Sequence, residues 1–283
     1  MYLAVDIGGT KTLIARFTKD GDLQESLKFP TPKSYDEFLK VLADNVARIT
    51  TKPWQLCCVA APGVIDREKD IVTAYGNLSW ENTPIVKDLE KVVDCDVLLE
   101  NDAKLAALSE ARLLKPVPHK VLYVTISTGI GTALVIDSDL DITSGDAGGT
   151  AMFFEHNGKV VDWESFASGK AIVKRFNKPA SEINDSHVWN IISHDIAMGL
   201  IDLHAALNPD IIIIGGGVGA HFSKFAGSLR KALKEYETPL VKAPKVVGAK
   251  HAEAAVIYGC YQLMKDRMSK GSGPRAQGSA AKS

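Results

Sequence analysis

One pattern occurs twice along this chain of 283 residues and limits what it can fold into. Residues 2–6 are mostly apolar and end in Asp6, Gly8 and Gly9 permit a tight turn, and residues 12–17 supply a partner strand. Residues 121–126 form a second apolar run, 127–132 read Ser-Thr-Gly-Ile-Gly-Thr, and 133–136 return as a strand. Strand, glycine turn, strand in both halves reads as an internal repeat. Each turn by itself fits a hairpin, the first with a Gly-Gly of the primed type. Glycines there also let backbone N–H groups approach a phosphate, and Thr10 adds a hydroxyl donor. Two such hairpins facing each other would clamp a phosphate chain from both sides. Asp6, at its strand end, is placed to hold Mg²⁺ directly or through water.

The chemistry-bearing stretch is Glu100-Asn101-Asp102. Residues 97–99 read as a short buried strand and 103–114 as a helix with Leu105, Ala106, Leu108 and Leu113 on one face. A carboxylate is thereby fixed where a strand passes into a helix, the position at which open α/β sheets bind ligands. Asn101 or Asp102 serves equally well there as a plain helix cap.

The remaining segments fill in an α/β pattern. A helix is expected over 35–49 and a strand over 56–60, which ends in Pro62-Gly63, a turn that also leaves a ligand room to approach. Asn77, in the polar Asn-Leu-Ser-Trp loop, suits either a turn or a hydroxylated ligand. Lys115-Pro116-Val117-Pro118 is the best linker, which predicts domains over 1–115 and 116–268. A long helix covers 186–207, and its His187, His194 and His204 lack metal-pair spacing. The Ile-rich strand 211–214 runs into Gly215-Gly216-Gly217, followed by Val218-Gly219-Ala220. That glycine turn fits the dinucleotide fingerprint formally, but the next strand ends in Gly248-Ala249-Lys250 without the required carboxylate. A turn lying against adenosine suits the whole chain better. A short strand at 246–247 and a helix over 252–264 close the pattern, and the Gly/Ser/Ala-rich tail 269–283 is expected to be disordered.

Composition narrows the class. With a net charge of −1 there is no field favouring nucleic acid or an anionic membrane, so a polyanion must be held locally. Cys57 and Cys58 are adjacent in a predicted strand and point to opposite faces; with Cys95 and Cys260 they make no C-x-x-C pair. No apolar run is long enough for a bilayer, and the chain enters a strand with no secretory pattern before it. A soluble, cytoplasmic protein is the expectation.

Taken together and in order, these motifs resemble the ROK family of sugar kinases, particularly bacterial glucokinases. The matching stretches are 6–11, 62–66, 77–80, 100–103, 127–131, Glu164 with Ala167-Ser168-Gly169, and Pro209 through Gly217. The resemblance implies a two-lobed ribonuclease-H-like, actin-like ATPase fold with its active site in the interdomain cleft, closing to expel water. It implies a homodimer, ATP and Mg²⁺ as cofactors, and glucose phosphorylated at its 6-hydroxyl. Asp102 is then the base for the sugar hydroxyl. Asn101, Glu164, Asp146, Asn77 and Gly63 belong to the sugar site. Asp6, Gly8, Gly9, Thr10, Lys11, Thr128 and Gly129 serve the phosphates, with Gly216 and Gly217 along adenosine.

Two departures stand out. The family's Gly-Glu-x-Gly-His is Gly145-Asp146-Ala147-Gly148-Gly149 here, and residues 151–162 hold no cysteine. Zinc is therefore not expected, and Gly149 should leave a larger sugar pocket, with room for another hexose or an N-acetylhexosamine. His156 reads first as a surface loop histidine, with a swing toward the sugar in compensation as the alternative. The family also contains sugar-responsive repressors with a DNA-binding segment ahead of the first phosphate motif; here that motif begins at Asp6. A sugar sensor without turnover is the non-enzyme alternative, and Asp102 argues against it.

Overall fold

The computed structural model describes residues 1–49, 53–251 and 254–270. The chain divides into two units: Met1–Leu105 with the last helix from Ile257, and Ala106–Val256. The first unit contains β1 (Tyr2–Ile7), β2 (Lys11–Phe17), β3 (Leu23–Pro30), α1 (Tyr35–Ile49), β4 (Leu56–Ala61), β5 (Gly63–Asp66), β6 (Ile71–Tyr75), β7 (Glu81–Thr83), α2 (Ile85–Val93), β8 (Val97–Asn101) and the start of α3 (Asp102–Arg112). The second contains β9 (Lys120–Ile126), β10 (Ile130–Ile136), β11 (Asp139–Leu140), β12 (Phe153–His156), β13 (Lys159–Asp162), α4 (Glu164–Ala167), α5 (Gly169–Phe176), α6 (Ser186–Leu207), β14 (Ile211–Gly215), α7 (Gly216–Gly219), α8 (Phe222–Glu235) and β15 (Val246–Gly248). Helix α9 (Ala255–Ser269) ends the described chain.

The repeat seen in the sequence is a repeat of topology. The first sheet runs β3-β2-β1-β4-β8 and the second β11-β10-β9-β14-β15. In both, the first three strands are antiparallel neighbours and the last two join the first in parallel. Antiparallel second and third strands exclude an all-parallel dinucleotide-binding sheet, which disposes of the fingerprint reading at Gly215. The central parallel strands are covered on both faces and are apolar throughout: β4 is Leu-Cys-Cys-Val-Ala-Ala, and β14 begins with four isoleucines, every residue buried. Each of the buried isoleucines of β14 contributes about 1.5–3 kcal/mol by leaving water.

The boundary differs from the expected 115/116. It falls inside α3, and α9 belongs with the first unit rather than the second. The cause is aromatic packing across the length of the chain. Phe17 stacks on Tyr261 with ring centroids 5.4 Å apart and meets the edge of Tyr258 at 5.6 Å, and the Tyr261 hydroxyl donates to the Lys19 carbonyl at 3.0 Å. Gly259 lets α9 pass against the Leu105 carbonyl, where any Cβ would collide. The final helix, expected over 252–264, is described from Ala255; Ala252 and Glu253 lie outside the described residues. Of the tail expected over 269–283, Ser269 completes α9 and 271–283 lie outside the described residues. No described helix is long and apolar enough to cross a membrane. All four cysteines are free thiols, and burial raises Cys57 and Cys58 well above the ordinary range.

Candidate active site

In the first unit, register gathers the acidic residues. Asp6 of β1 pairs with Ala60 of β4, and Ala60 with Glu100 of β8, so the three strands present these residues in one row near their C-terminal ends. Asn101 and Asp102 follow one step beyond. Asn101 takes the capping role: its Oδ1 accepts the N–H groups of Ala103 at 2.9 Å and Lys104 at 3.2 Å. Its Nδ2 donates to the Gly63 carbonyl at 3.0 Å. Asp102, half-buried, opens α3 and accepts the Ala103 N–H at 2.8 Å. Asn101 thus takes two N–H groups at the start of the helix and shares that of Ala103 with Asp102.

Asp6 is raised from its ordinary 3.8 to about 7, first by burial and then by the negative charge of Asp102, with Lys28 opposing. Two carboxylates this close with too little positive charge are a donor set suited to a hard divalent cation. Glu100, by contrast, is spent on structure. Arg67 grips it with Nε on Oε2 at 3.1 Å and Nη2 on Oε1, while the Asn101 N–H donates to Oε1 at 2.7 Å. Arg67 lies 33 residues earlier, and local sequence gave no signal for it.

The first glycine turn is not of the primed type: neither Gly8 nor Gly9 has a positive φ. Its requirement is space. A Cβ on Gly9 would lie 2.6 Å from the Asn77 Cβ, and one on Gly8 would lie 2.7 Å from the Lys11 carbonyl oxygen. The turn is braced from just beyond β3, since Thr31 donates through Oγ1 to the Gly8 carbonyl at 2.8 Å and through its backbone N–H to the Thr10 carbonyl at 3.0 Å. Thr10 and Lys11 are exposed at the tip. Asn77 and Gly63 thus reach the same end of the unit as Asp6 and Asn101. The Asn77 loop is anchored by buried Trp80, whose Nε1 donates to the Lys33 carbonyl at 2.8 Å. Gly63 sits at φ +140°, where a Cβ would strike the Ala74 carbonyl.

The second unit holds its own constellation. Glu164 accepts the Ile130 N–H at 2.8 Å and lies over Gly129, where a Cβ would be 2.8 Å from its Cδ. Gly216, at φ +77°, passes so close to the Ile126 carbonyl that a Cβ would lie 2.6 Å away, whereas Gly217 faces open space. A pocket of about 400 Å³ is lined by Thr128, Gly217 and Val218, with Val173, Pro179 and Ala180 as apolar wall. Ser127, Gly169, Lys170 and His221 also line it. Lys170 and His221 escaped the sequence reading, although Lys170 directly follows the Ala-Ser-Gly stretch. An apolar wall with a few polar groups suits a nucleobase and ribose.

The expected space at Gly149 is not there. Gly149 is buried, and a Cβ on it would be 2.9 Å from the Ile130 Cβ and 3.5 Å from the Glu164 nitrogen. Ile130 fills the volume that a side chain at 149 would occupy. Asp146 is half-buried in the loop just before this turn. His156 does not reach toward Gly149 in compensation; it stacks on Phe166 at 4.2 Å and pairs with Asp195 at 3.2 Å. Among the described residues, no group of three or more His, Cys, Asp or Glu side chains is disposed to hold a metal ion.

The chain is 27% identical to an N-acetyl-D-glucosamine kinase of Haemophilus influenzae, over 93% of this chain and 99% of that one. It is 25% identical to a glucokinase of Streptomyces coelicolor, over 83% and 88%. A crystal structure of a ROK family glucokinase from Streptomyces griseus, in complex with glucose and AMPPNP, superimposes with a TM-score of 0.80 at 22% identity, covering 93% of this chain and 98% of that one. The fold is that of the ROK sugar kinases, an actin-like ATPase fold. The ROK family model matches residues 2–267, and the chain belongs to the ROK family.

Proposed function

We propose that this chain is an ATP-dependent kinase that phosphorylates a hexose, with glucose at its 6-hydroxyl as the first substrate. The observation that carries the reading is Asp102, a half-buried carboxylate at the strand-to-helix junction of β8 and α3, which shares the Ala103 N–H with Asn101. In the transfer, the sugar hydroxyl gives its proton to the Asp102 carboxylate as its oxygen bonds to the γ-phosphorus. The bond from that phosphorus to the bridging oxygen breaks, and ADP leaves. Positioning and charge neutralisation do most of such work.

Asn101, with one Nδ2 hydrogen given to Gly63, offers the other to a sugar hydroxyl, and Glu164, Asn77 and Asp146 grip others. Gly8, Gly9, Thr10 and Lys11 serve the terminal phosphates in the first unit, and Thr128 and Gly129 do so in the second. Gly217 and the apolar wall take the base and ribose, while Gly216 holds the turn. Asp6 would hold Mg²⁺, directly or through water; the ion supplies neutralisation of phosphate charge.

N-acetylglucosamine is the second candidate acceptor, supported by the relative from Haemophilus influenzae. The filled volume at Gly149 gives it no separate support. A homodimer in the cytoplasm, binding no nucleic acid, belongs to the same reading. The test is ADP release from Mg-ATP with a panel of hexoses and N-acetylhexosamines. Turnover on one sugar supports the kinase and names its acceptor. Binding of a sugar without turnover on any would favour a sensor instead.

A further inference from the structure

Asp195 of α6 is a buried carboxylate for which the proposed transfer has no direct use. It is nonetheless engaged by three other elements of the second unit. Its Oδ1 meets His156 Nε2 at 3.2 Å, at the end of β12. Its Oδ2 accepts Arg175 Nη1 of α5 at 2.8 Å. Its carbonyl accepts the indole N–H of Trp163 at 3.0 Å. Trp163 is fully buried, and its ring occupies the space left by Gly199, one turn further along α6. The next residue is Glu164, which accepts the Ile130 N–H over Gly129.

We propose that Asp195 is a positioning residue for Glu164, and that with His156 and Arg175 it sets the affinity for the acceptor sugar. This rests on the assignment of Glu164 to the sugar site. The physical reasoning has two steps. Burial raises the pKa of Asp195, while Arg175 and His156 pull it back, so the carboxylate is retained in the interior by these two partners. The Asp195 carboxylate fixes α5 through Arg175 and the end of the β12–β13 hairpin through His156, whose ring stacks on Phe166 of α4 beside Glu164, while the Asp195 backbone carbonyl holds the Trp163 ring. The Trp163 backbone is tied as well, its N–H donating to the Met152 carbonyl at 2.8 Å. With the residue before it held by ring and backbone, Glu164 enters α4 in one orientation and meets Ile130 without searching. A site carboxylate held by its neighbours loses less freedom when it binds.

The test compares wild type with Asp195→Asn, His156→Gln, His156→Ala and Glu164→Gln. It measures KM for sugar, KM for ATP, kcat, and amide hydrogen exchange at Ile130. Asp195→Asn should raise KM for sugar about tenfold, with KM for ATP and kcat changing less than about threefold. His156→Gln, which keeps a donor, should stay near wild type, and His156→Ala should follow Asp195→Asn. Adding Asp195→Asn to Glu164→Gln should cost little more than Glu164→Gln alone. Equal rises in both KM values, or full additivity, would overturn the proposal. Should the wild type phosphorylate no sugar, the kinase reading fails, and exchange at Ile130 then decides the tether. The Ile130 amide should exchange at least about tenfold faster in Asp195→Asn, while Val124 within β9 stays protected; unchanged protection of Ile130 would overturn it.

Discussion

The Glu164 carboxylate accepts the backbone N–H of Ile130 at 2.8 Å and rests on Gly129. A residue assigned to the sugar thereby touches the turn assigned to phosphate. Gly129→Ala should push Glu164 aside, because the new Cβ would meet its Cδ at 2.8 Å and the side chain can yield while the fold stays. The charge-assisted hydrogen bond is worth about 1.5–3 kcal/mol. A fall in kcat/KM for sugar of about 10–100-fold is expected, with a near-normal melting temperature. Steady-state kinetics and a thermal scan check this together.

Gly216 and Gly217 are neighbours with different requirements. Gly216→Ala must be strained at φ +77° and crowded against Ile126, and it should cost about 1–3 kcal/mol in urea unfolding. Gly217→Ala meets nothing within 4 Å and should fold as wild type. Because Gly217 lines the pocket, the second variant should raise KM for ATP while leaving stability unchanged.

Without its cation, the folded protein should lose stability as pH rises from about 4 to about 7. Asp6 has an ordinary value of 3.8 and titrates near 7 in the fold, so between these values the native state keeps a proton that the unfolded chain has released. Above both values the cost of a buried charge, with the repulsion from Asp102 added, is fully present. Mg²⁺ should therefore raise the melting temperature more at pH 8 than at pH 5.5, and Asp6→Asn should flatten both trends. An unchanged pH slope in that variant would assign the effect elsewhere.

Arg67→Ala should destabilise by roughly 3 kcal/mol, because it leaves Glu100 buried at 6% side-chain exposure without its cation. Denaturant midpoints measure this. The double variant Arg67→Met with Glu100→Leu should recover much of the loss, since an apolar pair leaves no buried charge.

The duplicated hairpin was legible because it depends on local pattern: apolar strands and glycine turns recur at short range. The two five-stranded sheets follow from it, and the junction at Asp102 was legible for the same reason, lying where a strand period gives way to a helical one. What escaped the sequence is long-range. Arg67 meets Glu100 across 33 residues, and Tyr261 reaches Lys19 across 242, which carries α9 back to the first unit. A glycine at 149 reads in sequence as empty space, whereas in the fold Ile130 packs into that volume. His156 read as a loop residue because Asp195, its partner, lies 39 positions later on a helix.

The most direct measurement is ADP release by Asp102→Asn beside wild type, at saturating Mg-ATP and the best sugar of the panel. Asn keeps the shape of the side chain and one oxygen to accept the Ala103 N–H, but it cannot take the hydroxyl proton. A loss in kcat of about 10²–10⁴-fold with sugar binding retained is the expected result. Activity within a few-fold of wild type would contradict the assignment of Asp102 as the base.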